Sequence, residues 1–139
     1  DAESSIADLL LEETLCHMDL FASNLLIHSD GACLRFIDYE YAAIAPAGLD
    51  IANHFSGCTE VIQGSLVTFN VEQFPSKEQQ ILFLQKYVAG RGVATLDEDS
   101  AQFAMRLLMA LTAEAELRWI VWGLLQLQMS SVDFDYADY

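Results

Sequence analysis

His17, Asp19 and Asn24 fall in the order H-x-D-x-x-x-x-N, and Asp38 follows inside the apolar run Phe36-Ile37-Asp38-Tyr39. These are the residue types of a phosphoryl-transfer site. Such chemistry needs one carboxylate at the attacking hydroxyl and oxygen ligands that hold Mg²⁺ against nucleotide phosphates, because catalysis there is mostly positioning and charge neutralisation. On this reading Asp19 is the base, with Asn24 and Asp38 the metal ligands. An acid and an amide on one tight loop can point into a common cleft while the chain turns back into a strand. A loop Asp is often only a cap or turn residue, but the position of Asp38 one hairpin further on favours the functional reading.

The elements that must position these residues are visible around them. Leu25-Leu26-Ile27 supplies a strand, His28-Ser29-Asp30-Gly31-Ala32 a turn with Gly31 free to take positive φ, and Leu34-Arg35-Phe36-Ile37 the returning arm that brings Asp38 beside Asn24. Ser4 or Ser5 is expected to cap a helix through Ile6–Leu11, which leads into Thr14-Leu15-Cys16 as a short buried strand. After Pro46-Ala47-Gly48 a helix is expected from near Leu49 to Gly57, and residues 57 to 74 read as a loop with local structure. Ser76 with Gln79 makes a capping box that opens an apolar-faced helix, stopped by Gly90-Arg91-Gly92. Thr95-Leu96-Asp97-Glu98 reads as a second box, opening helical sequence to about Met129 with a bend near Thr112. The expected fold class is α+β, mainly α, with a small β hairpin carrying the candidate catalytic and metal residues.

Composition narrows the function classes. The chain has 139 residues, one domain's worth, and 53% hydrophobic content places it among globular proteins. Six basic against 21 acidic residues give a formal charge of −15, which disfavours nucleic acid or an anionic membrane as partner and suits a cationic substrate. Cys16, Cys33 and Cys58 are odd in number and lack C-x-x-C spacing, so neither a disulfide framework nor a zinc site is indicated, and a cytoplasmic setting is expected. The N-terminus does not read as a signal peptide. The apolar stretch from Trp119 to Leu125 is too short to cross a bilayer. The acids Asp97-Glu98-Asp99 sit where a helix begins and complement its dipole.

Taken together, Cys16-His17-Met18-Asp19 with Asn24, Phe36-Ile37-Asp38-Tyr39-Glu40-Tyr41, the helix Asp50-Ile51-Ala52-Asn53-His54-Phe55, and the segments Phe74–Gln80 and Ser130–Tyr139 resemble the C-terminal lobe of the choline/ethanolamine kinases, a family with a protein-kinase-like fold. The resemblance spans residues 1–139 as one domain. It implies transfer of phosphate from ATP, with Mg²⁺, to the hydroxyl of choline. Ethanolamine is the nearest rival substrate, and a non-catalytic cation-binding pseudokinase is a reading from another class. By the same resemblance Asp19 takes the hydroxyl proton, Asn24 and Asp38 bind Mg²⁺, and Asp50 and His17 support the loop. Nothing here resembles the N-terminal lobe that covers the nucleotide, so the isolated lobe is expected to be inactive and to expose apolar faces, with a homodimer among its possible forms.

A quaternary ammonium offers no hydrogen-bond donor and is best held by aromatic faces near a carboxylate. Tyr41, Trp119, Trp122, Phe134 and Tyr139 are the candidates, and the resemblance places them around the head group. Trp119 and Trp122 lie three apart on one helical face, where core packing is the plain alternative. The chain departs from the family at Met18, usually Asn, and at Gly57, where many members carry Glu; Glu60 lies close by in sequence.

Overall fold

Ile6 and Leu10 stand one helical turn apart and are 2% and 0% exposed, so a single apolar stripe anchors the first helix. The computed structural model describes residues 2–31, 33–63, 66–93, 95–132, 134 and 136, and its first element is this helix, α1 (Ala2–Leu11). Ser4 and Ser5 therefore lie inside α1 and not at its cap, contrary to expectation: Ala2 and Glu3 are good helix formers and extend the turn.

Strand β1 (Glu13–Cys16) comes next, followed by a 3₁₀ turn at Ala22–Asn24 and the hairpin β2 (Leu25–Ile27) with β3 (Leu34–Phe36). Leu25 lies opposite Phe36, and Gly31 in the turn takes φ 71°, as its sequence predicts. The next strand, β4 (Ala43–Pro46), returns to pair antiparallel with β1, with Cys16 opposite Ala43. That pairing pins together the two ends of the excursion that carries the candidate site. β1 is not the buried strand expected. It has one partner and alternates in period 2, so Cys16 is 1% exposed while Leu15 is 69% exposed.

Helix α2 (Ala47–Gly57) buries Leu49, Ile51, Ala52, Asn53 and Phe55. A side chain at Gly48 would stand 2.6 Å from Leu111 and 3.1 Å from the Leu10 carbonyl, so glycine is what lets α2 approach α1 so closely. The described residues between 57 and 74 hold more regular structure than expected. They contain a hairpin, β5 (Glu60–Gln63) with β6 (Leu66–Phe69), because the β-branched Val61, Val67 and Thr68 favour a pleated pair.

Helix α3 (Lys77–Gly90) opens on the predicted capping box, with Ser76 and Gln79 each bonding the other's backbone. Helix α4 (Glu98–Met129) is capped by Asp97, whose carboxylate accepts from Ser100 N at 2.8 Å. The box on Thr95 does not form, since the residue directly before the first helical turn reaches the free N–H groups and Thr95 lies two residues too early. One continuous helix passes through Thr112, whose hydroxyl donates to the Leu108 carbonyl at 2.9 Å. Leu49, Phe55, Leu84, Val88, Ala104 and Leu108 join the helices in one core. The architecture is α+β and mainly α, with three two-stranded sheets among the described residues.

Candidate active site

Asp50, in the first turn of α2, aims its carboxylate back at the loop after β1. Its Oδ2 accepts from His17 N and its Oδ1 from Met18 N, both at 2.7 Å. Two short charge-assisted bonds to successive amides fix two consecutive peptide units. Met18 has φ 66° and Asp38 φ 65°, a region that non-glycine residues enter only when their surroundings hold them there. His17 joins the two segments: its Nε2 donates to the Ile37 carbonyl at 2.8 Å, and its ring lies 4.7 Å from that of Tyr39.

Further bonds reach the same loop from α2 and α4. Asn53 Nδ2 donates to the Met18 carbonyl at 3.1 Å, and Arg118 Nη2 to the same oxygen at 2.7 Å. His54 Nδ1 meets the Leu20 carbonyl at 3.1 Å. Asn53, His54 and Arg118 went unassigned from sequence, although the pattern D-x-x-N-H holds the signal: spacing i, i+3, i+4 places three polar side chains on one face of a helix. Arg118 has no comparable pattern around it.

Asn24 Nδ2 donates to both the backbone carbonyl and the Oδ2 of Asp19, each at 2.9 Å. Ile37 N donates to the Asn24 carbonyl at 3.1 Å, so the hairpin ladder runs on to the residue before Asp38. Burial pushes the Asp19 carboxyl above the usual aspartate range and Asp38 adds to the rise, while the bond from Asn24 and the charges of His17 and Arg118 oppose it. Asp19, Asn24 and Asp38 are thereby gathered at one place. With its amide nitrogen engaged by Asp19, Asn24 has Oδ1 as the atom that could hold a cation, and Asp38 could add a carboxylate. Two hard oxygen donors fit Mg²⁺, which takes few protein ligands and completes its shell with phosphate and water. No cluster of three His, Cys, Asp or Glu suited to a metal occurs among the described residues.

The predicted aromatic residues meet beside the loop. Trp119 and Trp122 pack edge to face with centroids 5.6 Å apart, and Trp122 Nε1 donates to the Tyr41 hydroxyl at 2.9 Å. Tyr41 stands edge-on to Trp119 at 5.6 Å. Phe134 packs at 4.8 Å against Tyr136, which stands edge-on to Trp122 at 5.6 Å, so Tyr136 joins a set for which the sequence reading had not named it. Tyr139 lies outside the described residues. Phe21 was also missed: its ring lies 5.6 Å from that of Trp119 and covers Gly57, where any side chain would run into it. Phe21, Gly57, Glu60, Phe69, Glu116 and Trp119 line a small adjoining pocket. Glu116 accepts there from the Ser56 hydroxyl, and Glu60 opens β5.

Comparison with known proteins gives these features a setting. The family model for choline/ethanolamine kinase matches residues 5–139. Among curated relatives, a probable choline kinase 3 of Arabidopsis thaliana is 29% identical over 125 residues, which cover 89% of this chain and 36% of that protein. Ethanolamine kinase 2 of Homo sapiens is 31% identical over 125 residues, covering 89% and 31%. The solved ethanolamine kinase of Plasmodium vivax superposes with a TM-score of 0.76 at 31% identity, over 99% of this chain and 34% of its own. Choline kinase of Cryptosporidium parvum gives 0.75 at 28% identity, over 90% and 34%. The chain thus spans about a third of the length of the curated relatives it matches. Its fold is the one these kinases share, and the chain belongs to the choline/ethanolamine kinase family.

Proposed function

We propose that residues 1–139 form the C-terminal lobe of a kinase that transfers the terminal phosphoryl group of ATP to the hydroxyl of choline, with the nucleotide-covering N-terminal lobe supplied by sequence outside this chain. One observation carries the reading: Asp19, Asn24 and Asp38 are gathered on one braced loop and hairpin beside the Tyr41, Trp119 and Trp122 cluster. Asp19 accepts the hydroxyl proton as the oxygen bonds to phosphorus and the bond to the departing ADP breaks. Its raised proton affinity suits that role. Asn24 Oδ1 and the Asp38 carboxylate are the ligands for Mg²⁺, which when bound neutralises phosphate charge. Tyr41, Trp119, Trp122, Phe134 and Tyr139 form the ammonium cage, with Asp50 and His17 supporting the loop.

The setting is a reducing cytoplasm, consistent with free thiols at Cys16, Cys33 and Cys58. A second copy of the chain is a partner by virtue of its exposed apolar faces, which sedimentation at rising concentration tests. No helix among the described residues is long and apolar enough to cross a membrane.

ATP-dependent phosphorylation of choline and ethanolamine, measured side by side in the full-length protein, tests the assignment. Choline preference and loss of turnover in Asp19→Ala with choline binding intact are the expected results. Turnover unchanged in Asp19→Ala removes its role, and turnover of neither compound favours a non-catalytic cation-binding module. Ethanolamine preference is the second reading, and one feature favours it: the carboxylates of Glu60 and Glu116 beside Trp119 suit an ammonium with hydrogens to donate.

A further inference from the structure

Six basic side chains serve the whole chain, and one of them, Arg118, stands half-buried directly behind the candidate base. Its guanidinium donates to the Met18 carbonyl at 2.7 Å and lies over the Trp119 ring, 4.7 Å from the centroid. The contacts close into a circuit. Asn53 donates to the same Met18 oxygen and accepts at Oδ1 from Trp119 Nε1 at 3.2 Å, so Met18, Asn53, Trp119 and Arg118 are joined in a ring of three hydrogen bonds and one stacked cation.

The Met18 carbonyl belongs to the planar peptide unit whose nitrogen is that of Asp19. Fixing that oxygen sets the direction in which Asp19 leaves the backbone, and Met18 at φ 66° is a residue whose conformation needs holding. Asp50 secures the amide side of Met18, and Asn53 and Arg118 the carbonyl side. Arg118 is the member of this set that sits on the helix of the aromatic residues.

We propose that Arg118 is a positioning residue for the phosphoryl transfer: by clamping the Met18 carbonyl against Trp119 it aims the Asp19 carboxylate and couples the aromatic pocket to the base. This rests on the kinase reading above. Planar, delocalised guanidinium is the cation suited to a bond at its edge and an indole at its face together.

Arg118→Met in the full-length protein keeps an unbranched stem over Trp119 and removes donor and charge. The expected result is a kcat lower by roughly 10- to 100-fold, the scale on which a misplaced reacting group loses rate. KM for ATP and for the amino alcohol stays within about threefold, since ground-state binding is not what is lost. Arg118→Lys, which keeps charge and a donor, recovers part of the kcat, and Arg106→Met on the same helix, remote from the loop, matches the parent. A kcat in Arg118→Met within about twofold of the parent, or a loss confined to KM, overturns the proposal. If Arg118→Met does not fold, Arg118→Gln is judged by the same kcat and KM criteria, and failure of both to fold assigns Arg118 to stability and overturns positioning. An active parent silenced by Asp19→Asn but indifferent to Arg118→Met defeats this inference alone. A parent inactive on every amino alcohol defeats the kinase reading and this inference with it.

Discussion

The loop from His17 to Asn24 and the β2–β3 hairpin each carry a candidate ligand, yet they are built in opposite ways. The loop is held from outside itself: Asp50, Asn53, His54 and Arg118, on two helices, bond its backbone at His17, Met18 and Leu20. The hairpin has three residues in each strand and turns Leu26, Ile27, Leu34 and Phe36 outward, with Ile27 72% exposed. The loop of the candidate base Asp19 is thus braced from two helices of this chain, while Asp38 sits on a segment tied to the rest mainly through the Ile37 backbone and the contacts of His17 and Tyr39. Bracing is concentrated at the loop of the candidate base, and the hairpin keeps its apolar side chains exposed.

Removing the brace tests that contrast hardest. Asp50→Ala orphans two amide donors at once, so about 3 kcal/mol of stability and about 10²-fold or more in full-length turnover are expected to go, read from denaturant melts and initial rates. Gly57→Val should drive the Phe21 ring out of place and cost about 1–3 kcal/mol, measured the same way. Asp19→Asn should stabilise the metal-free chain at pH 7. The sign follows from burial: with its folded pKa raised, the Asp19 carboxylate costs stability once the pH has risen through the folded pKa, and none below the ordinary aspartate pKa. Thermal melts should therefore show the gain shrinking as pH falls through the carboxylate range. Smallest of all, Ile27→Lys on the hairpin should leave stability within about 0.5 kcal/mol while lowering self-association of the 139-residue chain in sedimentation. A large loss of stability there would mean that the two regions do not differ as described.

Much of this was legible in the sequence because it is local. The hairpin announced itself through Gly31 in a turn between the runs Leu25–Ile27 and Leu34–Ile37, α3 through Ser76 and Gln79, and the loop through the types and order of His17, Asp19 and Asn24. What escaped depends on partners distant along the chain. Arg118 reads as one cation in an apolar helix until the fold brings it to Met18, 100 residues away. Gly57 reads as a helix terminator, and it is one, but the Phe21 ring above it becomes visible only in three dimensions. The β5–β6 hairpin was missed because Val61, Val67 and Thr68 stand in short runs without strong alternation, where weak periodicity reads as loop. Ser4, Ser5 and Thr95 each look like caps, and a cap depends on where the helix begins.

Of the two left-handed residues, Met18 bears on the order in which the molecule is assembled. The Met18 conformation is not favoured by its local sequence and waits on contacts from later segments, Asp50 at 32 residues' distance and Arg118 at 100. Contacts of such long separation come with a high loop-closure cost and form slowly. On a ribosome, the residues of the loop emerge before α4 and acquire the braced shape seen here only after α4 has been made. The braced loop is therefore a report on completion of the chain as far as α4, and a chain ending before Arg118 would hold Asp19 and Asn24 without the clamp on the Met18 carbonyl.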